Sequence, residues 1–340
     1  MVGFYTAVVK NIDVNIGRRC NLRCVFCLDG RISAKQRQWV PLDSAAEELR
    51  KGWEAGCRSM GLLGGEPTVY PDLLELLDYA RGLGYQRLAL YTNGVRLGDA
   101  AFCDRVVAAG VTRVGISIHS HRPDLEDRIT SREGSFASKI AGLRRLVAHR
   151  RRGRLPHGLA VNPVITRLNL PHLLPMFRFF GRHGVDDLRF NFVRAIGRAE
   201  GSRDLTPRYQ DAARACVELI VQNERQGRRS LSFGDFPFCV WPWEVLGSEV
   251  LRRRYIGEFH DLVTDVSLFE APSEDTGDLD RFNWAERRKA RLKHKFTACE
   301  GCAFYDACEG VYRCYTDIYG IDEFGAVSES GVRLPITSMR

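Results

Sequence analysis

Residues 12–27 read Ile12-Asp-Val-Asn-Ile-Gly17-Arg-Arg-Cys20-Asn-Leu-Arg-Cys24-Val-Phe26-Cys27. Ile12, Val14 and Ile16 alternate with polar residues, the period of a strand over 12–17. Three cysteines follow at once, in C-x3-C-x2-C spacing. Zinc sites usually assemble from paired C-x2-4-C elements that add up to four ligands. Here three thiols share one tight loop with no fourth nearby. That donor set suits three corners of an iron–sulfur cubane, with one iron left open.

Outward from this stretch, strand and helix patterns alternate. Residues 43–56 have helical spacing (Ala45, Leu49, Trp53), with Asp43 and Ser44 as capping residues. An apolar run over 58–63 ends in Gly64-Gly65. An amphipathic helix over 71–83 leads to a third run, 87–92, ending in Thr92-Asn93-Gly94. Then come a helix over 99–109, a strand over 113–118, a helix over 136–151 and a strand over 158–165. A helix over 171–183, a strand over 187–193 and a last helix over 207–226 complete the series. Six strand–helix units in a row imply parallel strands with right-handed crossovers. The expected fold is α/β: a partial (β/α)6 TIM-like barrel over 1–226. In such barrels the reactive groups sit on loops at the C-terminal ends of the strands, where the cysteines and both glycine-bearing turns fall. After residue 227 aromatics, prolines and turn residues increase, as in Phe236 to Trp243. A smaller second domain is expected over 227–340, with a polar loop at 273–280.

Eleven cysteines in 340 residues are many for a chain with no secretory signal. The apolar stretch at 4–9 reads as a strand rather than a signal peptide, because Lys10 and Asp13 follow directly. No apolar run approaches the roughly 20 residues that span a bilayer, so a cytoplasmic protein without membrane contact is expected. In a reducing compartment, bunched cysteines point to metal or redox chemistry rather than a disulfide framework. The net charge of +8 permits an acidic partner. Its arginine runs are read as solvated helix faces or helix-end cations. No RNA-binding module is visible, and nucleic acid is not expected among the partners.

The loop resembles the signature of the radical S-adenosylmethionine (SAM) superfamily, with the family's aromatic, Phe26, before the last cysteine. The resemblance implies that Cys20, Cys24 and Cys27 hold a [4Fe–4S] cluster that reductively cleaves SAM to a 5′-deoxyadenosyl radical. Gly64, Gly65, Glu66 and Pro67 look like the family's GGEP motif, which binds the SAM amino group. Thr92-Asn93-Gly94 is similar to the segment that lines the SAM pocket, with Asn93 as its contact. By the same resemblance Ser117 faces the SAM ribose or carboxylate, and Arg128 pairs with the carboxylate through its planar fork. His119 and His121 are candidate substrate contacts, although most histidines are structural. Asn162, Ile165 and the segment from Val193 to Gly197 are candidate adenine walls.

A second cysteine group, Cys299, Cys302 and Cys308, has C-x2-C-x5-C spacing. It resembles the SPASM and Twitch auxiliary-cluster domains of peptide-modifying and cofactor-building radical SAM enzymes. The pattern departs from the family's: Cys314 falls six residues after Cys308 instead of four, and only one upstream candidate exists. The resemblance implies one auxiliary Fe–S cluster on Cys239, Cys299, Cys302 and Cys308, with Cys314 replacing Cys239 or standing free. Four thiolates equally suit structural zinc. The implied substrate is a ribosomally made peptide, or else a small molecule in cofactor, nucleoside or natural-product synthesis. An electron donor such as flavodoxin or ferredoxin is the implied partner. A non-catalytic Fe–S or zinc carrier is the alternative of a different class. It has no use for a SAM pocket.

Overall fold

The computed structural model describes residues 10–260, 262–268 and 280–331. The expected strand at 4–9 lies outside these residues, as does all of the expected loop at 273–280 except its last position.

The strands are β1 (Lys10–Asn15), β2 (Ser59–Leu63), β3 (Arg87–Thr92), β4 (Arg113–Ile116), β5 (Leu159–Val161), β6 (Val164–Ile165), β7 (Asp187–Phe192), β8 (Ser230–Gly234), β9 (Val263–Leu268) and β10 (Asp280–Asn283). They form one sheet in the order β10-β9-β1-β2-β3-β4-β5-β7-β6, with β8 also on β7. All pairings are parallel except β10 on β9. This is the partial TIM-like barrel expected from the βα series. The expected boundary at 226/227 falls inside the sheet: β8 extends the β7 side, and β9 joins β1 from the other side in parallel register, Ile12 opposite Asp265. Neither was visible to helix–strand counting, because no ordinary βα unit carries β9. The strand expected over 158–165 is two short strands, β5 and β6.

Seven helices follow the early strands: α1 (Leu42–Glu54), α2 (Leu73–Leu83), α3 (Ala100–Ala108), α4 (Pro123–Thr130), α5 (Ser135–Arg151), α6 (Leu173–Arg182) and α7 (Tyr209–Arg225). Asp99 caps α3 by accepting the Phe102 N–H at 2.8 Å. Gly84 ends α2 in the left-handed region at φ +95°. The sequence reading missed α4, an eight-residue helix opened by Pro123 at its first turn.

Alternation along the strands sorts two environments. Ile12 and Val14 of β1, and Leu188, Phe190 and Phe192 of β7, are buried in the hydrophobic core, which also takes in Met176, Phe177 and Phe180 of α6. Each such side chain stabilises the fold by about 1.5–3 kcal/mol. The opposite faces are polar: Asn11, Asp13, Arg87, Tyr91, Arg113, Asn162, Asp187 and Arg189 line a cavity of about 440 Å³. Full TIM barrels fill this space with layers of apolar side chains; here polar side chains surround a cavity instead. Beyond the sheet, two short strands, β11 (Lys293–His294) and β12 (Val311–Tyr312), pair as an antiparallel ribbon within the cysteine-rich C-terminal module.

Candidate active site

A cavity of about 580 Å³ lies at the C-terminal ends of the strands. The three cysteines line it. The loop that carries them is fixed by backbone contacts with its neighbours. Gly65 N–H donates to Gly17 O at 2.8 Å and Glu66 N–H to Arg19 O at 2.9 Å. On the other side Arg23 and Val25 N–H donate to Thr130 and Ile129 O at 3.1 and 2.9 Å. These approaches are why the second turn is Gly-Gly: a Cβ on Gly64 would lie 2.4 Å from Gly17 O, and one on Gly65 2.1 Å from Arg19 O.

Burial raises the Cys20 thiol to about 11 and the Cys24 thiol to about 12, and it raises Cys27 as well. Bare thiols there stay protonated at neutral pH. A thiophilic metal centre is the partner that makes thiolates stable in such a place. Leu22 N–H points at Cys20 Sγ at 3.4 Å and Asn93 Nδ2 at 3.8 Å, the kind of N–H···S contact that cluster sulfurs accept. Among the described residues no three His, Cys, Asp or Glu side chains converge as ligands of a single ion; a cubane instead spreads its thiolates around a cage. The donor set and its surroundings fit the [4Fe–4S] group.

The other expected contacts divide. Phe26, Gly64, Gly65, Glu66, Asn93 and Ser117 line the cavity; Pro67 and Arg128 do not. Pro67 is buried at the first position of a short 3-10 turn. Arg128 is exposed, because α4 turns Leu125, Glu126, Ile129 and Thr130 inward and leaves position 128 outside. The expected carboxylate pairing is therefore corrected. Glu66 has a further role in the structure. It is 1% exposed, and its carboxylate is engaged within the protein. Oε1 accepts from Thr68 N at 2.9 Å and from the hydroxyls of Thr68 and Thr92 at 2.5 Å each. Oε2 accepts from Asn93 N at 2.6 Å. Glu66 clasps the turns after β2 and β3 together while it lines the cavity. Asn93 extends the clasp, donating to Asn21 Oδ1 at 2.7 Å.

Neither expected histidine contact lines the cavity. His119 is 3% exposed; its Nδ1 accepts from Val164 N at 3.1 Å, and its ring meets the Phe26 ring edge-on at 4.8 Å. Burial holds it neutral. It braces the aromatic of the cysteine loop. Of the candidate adenine walls, Asn162 and Arg194 line the cavity; Ile165, Val193 and Gly197 do not. The sequence reading missed a buried ion pair beneath the site. Lys139 Nζ lies 2.6 Å from Glu126 Oε1, both side chains fully buried. Lys139 also donates to Ser117 O at 3.0 Å, and Glu126 Oε2 accepts from His119 N at 2.7 Å. The signal was present as a lysine and a glutamate on the inward faces of two adjoining helices.

The far wall comes from β7, the turn after β8 and the C-terminal module: Arg189, Asn191, Arg194, Asp235, Trp284 and Arg288. Asp235 ties them together. Its carboxylate accepts from Tyr312 Oη at 2.6 Å and pairs with Arg194 at 3.2 Å. Burial alone would raise its pKa, but the charges of Arg194 and Lys293 hold it at about 2. In the module itself, Cys239, Cys299, Cys302 and Cys308 line one small cavity. Backbone N–H groups of Phe296, Val327 and Gly310 point at the sulfurs of Cys299, Cys302 and Cys308, each at 3.4 Å. Cys314 lines neither cavity and sits against the Ala195 backbone.

The site is thus a three-cysteine loop at the C-terminal rim of a partial parallel barrel. Residues 14–169 match the family model described as the radical SAM superfamily. Over this stretch, a little under half of the chain, the protein is similar to the enzymes of that superfamily. A probable GTP 3′,8-cyclase of Sulfurisphaera tokodaii is 27% identical over 198 residues, 58% of this chain and 60% of that protein. An AdoMet-dependent heme synthase of Methanosarcina barkeri is 27% identical over 188 residues, 55% of this chain and 52% of that one. The matched stretch thus spans only about half to three-fifths of these relatives. The fold is shared with Streptococcus suis SuiB bound to S-adenosylmethionine, at TM-score 0.62 and 15% identity over 95% of this chain and 77% of that one. It is also shared with anSMEcpe bound to AdoMet and the Kp18Cys peptide, at TM-score 0.61 and 14% identity over 96% and 93%. No helix among the described residues is long and apolar enough to cross a membrane.

Proposed function

We propose that Cys20, Cys24 and Cys27 hold the [4Fe–4S] cluster, and that the cavity above them holds SAM together with a substrate from which hydrogen is abstracted. The cluster and SAM supply the radical chemistry; the chain binds, orients and excludes water. Gly64, Gly65, Asn93, Ser117 and Phe26 form the SAM side. Arg189, Arg194, Asp235, Trp284 and Arg288 form the substrate side. The observation that carries this reading is the single cavity lined by both sets. Cys239, Cys299, Cys302 and Cys308 are proposed to hold a second Fe–S cluster, with structural zinc as the alternative. A second domain over 227–340 is retained as a functional division, although its first strand belongs to the barrel sheet.

The substrate proposed first is a ribosomally made peptide, cross-linked, epimerised or oxidised. The SPASM-like cysteine spacing supports it. The GTP cyclase and heme synthase relatives favour a second reading, a nucleotide or another cofactor precursor. The protein would be reconstituted anaerobically with iron and sulfide and given dithionite and SAM, with 5′-deoxyadenosine followed by mass spectrometry. Deoxyadenosine should form and should vanish in the Cys20→Ala/Cys24→Ala/Cys27→Ala variant. Its absence from a protein with an intact first cluster, in the presence of GTP and of a precursor peptide from the neighbouring genes alike, would sink the reading. Stimulation by one of the two chooses between the substrates.

A further inference from the structure

The strands carry a second cavity at their other ends. Asn11, Arg87, Arg113, Asp187 and Ser230 line it, and they are the first or second residues of β1, β3, β4, β7 and β8. It therefore lies below the cavity of the cysteine loop. The two adjoin, since Asp13, Tyr91, Asn162, Arg189 and Trp284 line both. Strand register explains the space. Asp13, Gly61, Ala89 and Arg113 lie in one row across β1 to β4. Tyr91, Gly115, Ala160, Asp187 and Ser230 form another row, from β3 to β8. In both rows glycine and alanine separate the larger side chains, which lie over them. A Cβ on Gly61 would meet Asp13 Oδ1 at 2.2 Å, and one on Gly115 would meet Tyr91 Cδ1 at 2.7 Å. The chamber, about 440 Å³, has the size of a small-ligand site.

Charge decides what it holds. Arg113 pairs with Asp187 at 2.6 Å. In the upper cavity Arg194 pairs with Asp235 at 3.2 Å and Arg288 with Glu309 at 2.5 Å. Arg87 differs: it donates to Ser59 Oγ at 2.9 Å, and among the described residues no carboxylate lies within ion-pair distance of it. Asp13 feels its charge but is held by Asn11 Nδ2 at 2.8 Å. Three arginines and two aspartates line the chamber, a small excess of positive charge. Burial pushes the Asp13 carboxyl up, which only adds to that excess. A carboxylate matches it; a polyphosphate would bring far more negative charge beside two aspartates.

We propose that the lower chamber is a carboxylate subsite: Arg87 takes a carboxylate of the substrate in its planar fork, and the rest of the substrate runs past Tyr91 and Asn162 toward the cysteine loop. The inference rests on the reading of the upper cavity as the site of SAM and substrate. It makes the substrate an acid-bearing one, with a peptide's acidic side chain or C-terminus in the chamber rather than a nucleoside triphosphate.

The probes are hippurate, a carboxylate on an aromatic amide; hippuramide, its uncharged counterpart; and GTP. Each is titrated by saturation-transfer NMR against the reconstituted full chain. Hippurate should bind, hippuramide should not, and GTP at equal concentration should not displace hippurate. Arg87→Gln, which keeps a donor for Ser59, should weaken hippurate at least tenfold, and Arg87→Lys by less. Urea unfolding of both variants separates loss of the subsite from loss of the fold. A second measurement needs no variant: phenylglyoxal labelling of Arg87 in the wild type, mapped by mass spectrometry, should be slowed by hippurate and not by hippuramide. The proposal is overturned by absent hippurate binding, by equal binding of hippuramide, by hippurate binding unchanged in Arg87→Gln, or by labelling that hippurate does not slow. GTP that binds more tightly than hippurate and is released by Arg87→Gln also overturns it, and assigns the chamber to phosphate. Deoxyadenosine is measured in parallel on the wild type. Its loss from a protein that still binds hippurate through Arg87 strikes the cluster reading and leaves the subsite standing; the reverse result strikes the subsite alone.

Discussion

Glu66 lines the cavity and at the same time ties its walls together. Four hydrogen bonds converge on its carboxylate, from the turn after β2, the last residue of β3 and the turn that follows it. Burial raises its pKa and those donors lower it, with burial prevailing. Glu66→Ala leaves several buried donors without acceptors, at about 1–3 kcal/mol each. The apo-protein should lose several kcal/mol in urea unfolding, and SAM binding should weaken because Asn93 is no longer held. Glu66→Gln should recover part of both. At this scale the sequence was legible where a residue is fixed by the backbone around it, as Gly64 and Gly65 are. It was silent where partners come from distant turns. The spacing of Glu66 is that of a ligand-binding motif, but its partners Thr92 and Asn93 are a strand away. Arg128 misled for another reason: an unrecognised short helix decided which way it points.

The ion pair between α4 and α5 belongs to the scale of elements. Lys139 and Glu126 lie fully buried at 2.6 Å, and together they hold the end of β4 through Ser117 O and His119 N. Removing one partner strands a buried charge, at about 3–5 kcal/mol. Lys139→Met should therefore lower the urea midpoint far more than Lys139→Met/Glu126→Leu, and the single variant should take up SAM poorly even with a full cluster. The second cysteine group offers a matching test. Cys239→Ser should lower the iron content of the reconstituted protein to that of a single cluster, or remove a zinc. Cys314→Ser should leave the metal content unchanged, because Cys314 lies outside the cavity that the other four line. Element order was legible because apolar periodicity marks βα units. The buried pair and β9 were not, since a charged residue inside a helix reads as surface, and β9 belongs to no ordinary βα unit.

For the whole molecule, the question is what holds the C-terminal module against the barrel. Asp235, just after β8, meets Arg194 after β7 and Tyr312 of β12, so one carboxylate spans the junction. Its folded-state pKa of about 2 lies below the ordinary aspartate value of about 3.9. Its stabilisation, on the order of 2 kcal/mol, is therefore complete above about pH 4 and fades as the pH falls toward 2. Asp235→Asn should destabilise the apo-protein at pH 6, and the gap between variant and wild type in urea midpoint should narrow at pH 3. No reading of the sequence pairs residue 235 with residues 194 and 312, since only the closed fold brings them together.

The backbone contacts around the cysteine loop bear on how the enzyme is made. Gly17 and Arg19 carbonyls receive the turn after β2, while Arg23 and Val25 lie against the end of α4. None of these contacts needs iron. These contacts predict that the loop keeps its shape without iron, unlike small zinc modules that fold only around their metal; circular dichroism and urea unfolding of the iron-free chain would check it. A cell short of iron would accumulate a folded, silent reservoir of this enzyme rather than a pool for degradation. Recovery would then be governed by the supply of clusters and not by new translation.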